Sequence, residues 1–363
     1  MDTLTHMLIG AGTAQLIPSA VHNEKQAPTW QQKAMIGALA AIFPDIDYLL
    51  FPLDPLAFLA YWHRAHSHSI FLAPLWAYLL TLVLQQYFKR NKTWSGQRLL
   101  LFWISLSAIL SHIISDSLTV YGTRWFSPLL DIKISWDLLF VVDIYFTATI
   151  LAALILLIRW RDKSYRAYAC LIPFVYLGLV LLIKSTVYHR LPVSENSTTN
   201  SRISAPSQAG ILVPQPFSPF YWQLIKADGP GFKQAYLKLA DDIIGNKLSR
   251  LSGSGLDYLS YRFPREISWR RYPIIPDNPD WQADAETVWQ NEKFTAFRDF
   301  TKYPVFYAYN SRSEKTCVWF SDLRYHWPGM LPTFRFGMCK KATGAWQVHR
   351  MKYFSRDQLQ SLR

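Results

Sequence analysis

The sequence predicts an α-helical membrane domain of about four long spans plus two short N-terminal helices, followed by a soluble mostly-β or α+β domain. Three observations predict it. The long apolar segments all end near residue 190, and a run of about 20 apolar residues is what a bilayer requires. The chain is 50% hydrophobic and only 17% charged, a low charge that places part of it in lipid. After residue 210 the apolar residues fall into short aromatic-rich runs bounded by Pro, Gly or polar residues, the habit of strands. This divides the 363 residues into a membrane domain at 1–190, a polar linker at 191–209 and a soluble domain at 210–363.

Taken in order, LTHMLIGAGTAQLI at 4–17 and AMIGALAAIF at 34–43 are apolar but short. They predict two short helices or a re-entrant hairpin, packed through Gly10, Gly12, Gly37 and alanines. A polar loop holding Pro18, Glu24, Lys25 and Pro28 separates them. The first stretch contains Asp2 and His6 and lacks a basic leader, which argues against a cleavable signal peptide. Spans are expected at 70–87, 99–118, 138–158 and 167–187. Strands are expected in PFYWQLIKAD, FTAFRDF, VFYAYN, TCVWFSDLRY, TFRFGMC and AWQVHRMKYF, with one helix within 231–250. Cys317 and Cys339 can pair if the second half faces an oxidising compartment; two free thiols are the alternative.

Charge sets the orientation. The formal net charge is +13, with +5 before residue 191 and +8 after it. The excess is spread along the chain and forms no basic stripe, so an anionic lipid surface fits better than nucleic acid. The loops carrying Lys89, Arg90, Lys92 and Arg98, and Arg159, Arg161, Lys163 and Arg166, are expected on the cytoplasmic side. Alternation then puts 44–69, 119–137 and everything after 188 outside the membrane. Eight of the ten acids before residue 191 come to that outer level: Asp2, Asp45, Asp47, Asp54, Asp116, Asp131, Asp137 and Asp143.

Chemistry concentrates in FPDIDYLLFPLDPLAFLAYWHRAHSHS at 43–69, flanked by apolar segments. Carboxylates and imidazoles beside a membrane are costly to keep without a use, and together they suit a metal. Asp45 and Asp47 are two residues apart, so one can bind an ion while the other orients a ligand or takes a proton; a Pro-Asp turn is the plain alternative. His63, His66 and His68 offer imidazoles, and Arg64 between them can hold an anionic oxygen or pair with an aspartate. His112 and Asp116 share a helix face, as do Asp2 and His6. Thr119, Tyr121 and Gly122 follow this helix and are expected to form a turn over the site, and Asp143 is a candidate supporting carboxylate. Trp125, Trp136 and Tyr145 read as interfacial anchors. No P-loop, Rossmann glycine pattern or GxSxG elbow occurs.

DTLTH at 2–6, FPDID at 43–47, HR-x3-HS at 63–69 and HIISD-x2-T-x-YGT at 112–123 resemble the bacterial inner-membrane metal-dependent hydrolase family described as LexA-regulated. The resemblance covers about residues 1–190, with four motifs in order; PQPFSPFYW and SDLRY match a C-terminal extension found in some members. It implies metal-site residues His6, Asp45, Asp47, His63, His68, His112 and Asp116. His66 stands where members often carry an apolar residue, which sets it apart from that set. Ligands from several helices with an H-x3-D pair are also similar to the zinc-dependent phospholipase C and nuclease group, in ligand type and order alone.

The expected function is hydrolysis by a water on a divalent metal, zinc first, at the outer face of the inner membrane of a bacterium. His6, Asp47, His63, His68, His112 and Asp116 are the expected ligands, Asp45 a ligand or general base, and Arg64 an anion clamp. The expected substrate is a phosphoester or lipid head group, or another small anion. The rival reading is a non-catalytic metal-binding envelope-stress membrane protein. A transporter would need polar residues through the depth of the membrane rather than at one face.

Overall fold

The structure, a computed structural model, describes residues 1–19, 27–88, 94, 96–160, 163–191, 210–251, 255–312, 315–341, 344–353, 355 and 358–362. The expected linker from 192 on, with Glu24, Lys25, Lys89, Arg90, Lys92 and Arg161, lies outside the described residues. The chain divides into two compact units, Met1–Leu49 with Trp62–Leu182, and Leu50–Tyr61 with Ile183–Arg363.

The first unit is helical. Asp2 caps α1 (Thr3–Leu16) by accepting from the Thr5 backbone N–H. Thr29 and Gln32 form a capping box on α2 (Trp30–Ile42). The two helices cross where neither has a side chain: a Cβ on Gly37 would lie 2.2 Å from the Gly10 carbonyl oxygen, and one on Gly10 would lie 2.3 Å from that of Gly37. Gly12, expected to share this contact, has open space around it. The single turn Pro55–Ala57 (α3) belongs to the second unit; α4 (Ala73–Tyr87), α5 (Arg98–Asp116), α6 (Ile144–Arg159) and α7 (Lys163–His189) follow. α1 also packs on α5 and α6, and α5 on α2 and α4. Ala14, Ile36, Leu101 and Ile104 are fully buried between them.

Among the described residues, two helices, at 98–116 and 165–189, are long and apolar enough to cross a membrane, where four spans were expected. A third is reached only if Pro55–His68 and Ala73–Tyr87, bent by 74°, count as one broken span. The expected span at 138–158 is shortened at its start, because Leu139 bridges Thr119 and Asp143 caps α6, leaving 16 helical residues. α7 turns Leu171, Phe174, Val175, Leu179 and Leu182 outward, the surface of a helix against lipid.

The second unit is β-rich. β1 (Ile211–Pro214), β2 (Tyr221–Asp228), β3 (Gly231–Lys238) and β4 (Arg270–Pro273) form one antiparallel sheet in chain order. β5 (Pro304–Arg312), β6 (Lys315–Asp322), β7 (Arg335–Lys341), β8 (Gln347–Met351) and β9 (Leu359–Ser361) form a five-stranded meander. Trp222 and Trp319 are fully buried. Cys317 and Cys339 face each other across β6 and β7 and form a disulfide. The run FTAFRDF, expected as a strand, is the helix Thr295–Phe300 instead. Phe294, Phe297 and Phe300 are all buried, and their spacing of three places them on one helical face. The helix expected within 231–250 is present at Ile243–Leu251, after β3 has taken residues 231–238. Residues 50–61 belong to this unit: the Tyr61 hydroxyl donates to Asp299 at 2.6 Å, and the Arg350 guanidinium lies 4.9 Å from the Phe51 ring centre.

Candidate metal centre

The site gathers at the C-terminal end of α5, the turn after α2 and the loop 63–69. Asp45, His68, His112 and Asp116 each offer one atom, and these four atoms lie within 4.8 Å of one another. Asp116 Oδ2 is 3.2 Å from His68 Nε2 and 3.3 Å from His112 Nε2. Asp45 Oδ1 is farther, at 3.6 and 3.7 Å from the same nitrogens. His68, His112 and Asp116 are fully buried, while the Asp45 side chain keeps 19% exposure. The helical spacing of four between His112 and Asp116 is what brings their side chains together.

Hydrogen bonds on the far side of each ring fix its tautomer. His112 Nδ1 lies 2.5 Å from the Ala41 carbonyl, which only accepts, so Nδ1 carries the proton and Nε2 is bare. The Ser67 hydroxyl donates to Asp47 Oδ2 at 3.1 Å, so at 2.9 Å it accepts from His68 Nδ1; in the neutral ring that a metal requires, His68 then presents Nε2 as a lone pair. The two bare nitrogens face each other at 3.0 Å. Asp116 Oδ2 beside them is buried and has no hydrogen-bond partner. In the neutral tautomers the two Nε2 lone pairs and this carboxylate oxygen converge on one point, and a shared proton or a cation between them relieves their repulsion. Two imidazole nitrogens with carboxylate oxygens are a donor set that divalent ions such as zinc accept, so the residues present fit a metal.

The other expected site residues lie around this cluster. Asp47 sits behind it: His63 Nδ1 approaches both its oxygens at 3.3 Å, and the Arg64 backbone N–H donates to it at 3.1 Å. Burial resists ionisation of Asp47, but the hydrogen bond from His63 and the neighbouring imidazoles hold its carboxyl below the usual carboxylate range. Burial resists ionisation of Asp45 as well, but the neighbouring imidazoles of His68 and His112 hold its carboxyl below the usual range. His63 turns its Nε2 to the Tyr48 hydroxyl at 3.3 Å. His6 stacks on His112 with ring centres 3.7 Å apart, and its Nε2 lies 3.1 Å from Asp116 Oδ1. The Met1 amine reaches that same oxygen.

Arg64 does not stand free as a clamp for an outside anion. Its Nη2 lies 2.8 Å from Asp116 Oδ1, its Nη1 donates to Thr119 Oγ1 at 3.0 Å, and its guanidinium lies 5.1 Å from the Tyr121 ring centre. The turn expected near this helix end thus supplies Arg64 with partners. Arg64 also holds φ at 55°, a left-handed conformation that costs a non-glycine residue free energy. His66 lies apart, 2.5 Å from Ser127 Oγ. Asp2 is engaged by Thr5, and Asp143 by the α6 N-terminus and the Tyr176 hydroxyl.

Sequence reasoning did not find Ser67, Tyr48 or the Ala41 carbonyl. Ser67 lies between two motif residues, and nothing in its type marks it as the link between Asp47 and His68. A main-chain carbonyl leaves no trace in the sequence at all.

Comparison with known proteins agrees with the four motifs. A model of the YdjM inner membrane protein family matches residues 1–187, and the chain belongs to that family. No curated protein and no solved structure matches it.

Proposed function

We propose that this YdjM-family chain is a membrane-bound metal-dependent hydrolase. His68, His112 and Asp116 would hold the ion, and Asp45 would act beside it at the open side. The carrying observation is the convergence of one donor atom each from Asp45, His68, His112 and Asp116 within 4.8 Å of one another. When bound, a divalent ion supplies Lewis acidity to a water molecule and to the bond under attack.

The rest is done by this chain's own groups. Asp45 is ionised and partly exposed, so its Oδ1 can take a proton from water and return it to a leaving group. Asp47, through Ser67 and His63, orients His68 and the loop that carries it. Arg64 and His6 hold Asp116 by its Oδ1 and leave Oδ2 for the ion. The substrate class that suits a cationic site beside membrane spans is a phosphoester, such as a lipid head group. The outer face of the membrane is the proposed side, and the Cys317–Cys339 disulfide supports an oxidising compartment for the second unit.

One observation favours a second reading. Four protein donors would fill a tetrahedral ion, which is the mark of a structural site. Asp45 divides the two readings: as a fourth ligand it closes the site, and as a base it leaves the site open. The first test is metal content by elemental analysis of purified wild type beside Asp116→Asn. Stoichiometric zinc or manganese in the wild type and its loss in the variant are expected, followed by hydrolysis in a screen of phospholipids and phosphoesters. Metal-free, well-folded wild type overturns the reading.

A further inference from the structure

The second unit holds a cavity of about 670 Å³, within the size range of small-molecule sites. One wall is a face of the first sheet. Gln234 on β3 pairs directly with Arg270 on β4, and Tyr236 and Tyr272 lie two residues along on the same face. Opposite them, β5 carries a bulge between Phe306 and Ala308, and the extra residue, Tyr307, lines the cavity. The segment from His326 to Pro332 closes another side.

Three properties of this cavity point to one ligand class. Arg262 and Arg270 line it and no carboxylate does, among the described residues. Gln234 is 2% exposed; its amide nitrogen is engaged by the Tyr236 hydroxyl, and its amide oxygen is buried with no hydrogen-bond partner. A buried amide oxygen in that state is an acceptor waiting for a hydroxyl donor. Tyr272, Tyr307 and Trp327 supply aromatic faces to the wall, beside Ser260, Ser268, Met330 and Leu331, and such faces suit the C–H groups of a sugar ring. Guanidinium pairs take carboxylate or phosphate in two-point contacts, and an amide oxygen accepts from a sugar hydroxyl.

We infer that this cavity is a binding site for an acidic sugar, one bearing a phosphate or a carboxylate. Arg262 and Arg270 hold the anionic group, Gln234 reads a hydroxyl, and the aromatic faces cover the ring. The site stands independently of the metal centre, since all its residues belong to the second unit.

Isothermal titration of the full-length protein in detergent tests it, with glucose 6-phosphate, glucuronate, glucose and inorganic phosphate as probes. Saturable binding of glucose 6-phosphate or glucuronate at one site per chain is expected, and the stronger of the two identifies the anionic group. Arg270→Ala and Gln234→Met each weaken that binding at least tenfold. Arg271→Ala, whose side chain pairs with Asp228 instead, retains wild-type affinity, as does Asp116→Asn. The melting temperature of ligand-free Gln234→Met equals or exceeds that of the wild type, because an orphaned amide oxygen has been removed. The inference is overturned by absence of saturable binding to either acid, by glucose or inorganic phosphate binding as tightly, by unchanged affinity in the two cavity variants, or by a lower melting temperature of ligand-free Gln234→Met.

Discussion

Asp45 and Asp116 both reach the candidate metal centre, but Asp45 keeps 19% side-chain exposure and Asp116 none. That difference gives a prediction at the scale of one carboxylate. Asp45→Asn should retain the metal while turnover falls by about 10²–10⁴-fold, the usual contribution of a general base; elemental analysis beside a hydrolysis assay measures both. Loss of metal instead would make Asp45 a ligand and favour the structural reading. In the second unit, burial pushes the His326 pKa down to about 4, with Asp322 opposing and Arg270 adding to the shift. The unfolded chain protonates this ring near pH 6.5. Between those values the unfolded state binds the extra proton, so His326 contributes its full stability above about pH 6.5 and loses it as pH falls towards 4, at most roughly 3 kcal/mol. Melting curves from pH 7 to 4 should show this acid loss in wild type and a flatter profile in His326→Gln.

At the level of elements, the crossing of α1 and α2 is set by two glycines. A side chain on Gly37 has no room against the Gly10 carbonyl. Gly37→Val should therefore lower stability by about 3 kcal/mol or more, and it should weaken metal retention, because α1 carries His6 and α2 carries the Ala41 carbonyl that fixes His112. Gly12→Ala, with open space around it, should leave both unchanged; thermal melts and metal analysis of the purified variants compare them. Much at this level was legible in the sequence. The long uniform apolar runs of α5 and α7 could be read directly, and so could the one-face spacing of His112 and Asp116. The span expected over 138–158 was not legible, since its first residues are apolar yet extended, paired with the turn after α5. FTAFRDF read as a strand because aromatic runs favour strands, whereas its spacing of three buries one helical face. Of the ligand-type residues, the sequence could mark candidates but not their order around an ion: His63 and Asp47 differ from His68 and Asp116 only in what stands behind them.

For the whole molecule, the family assignment gives the inner membrane and leaves the sidedness to experiment. Reporter fusions after Asn91 and after Ser201 should fall on opposite sides of the membrane, with the second outside; a shared side would remove the outer-face placement of the site. The two units also share one feature of connectivity. Residues 50–61 leave the first unit just after Asp45 and Asp47 and return to it just before His63. The helical unit is therefore stitched through its neighbour, and no single cut along the chain separates the two. A chain ended after residue 190 would leave Tyr61 without Asp299 and Phe51 without Arg350, in a loop whose two ends run into residues of the candidate metal centre. Excising either half as an independent building block would thus disturb the other, and the protein is best handled as one inseparable piece.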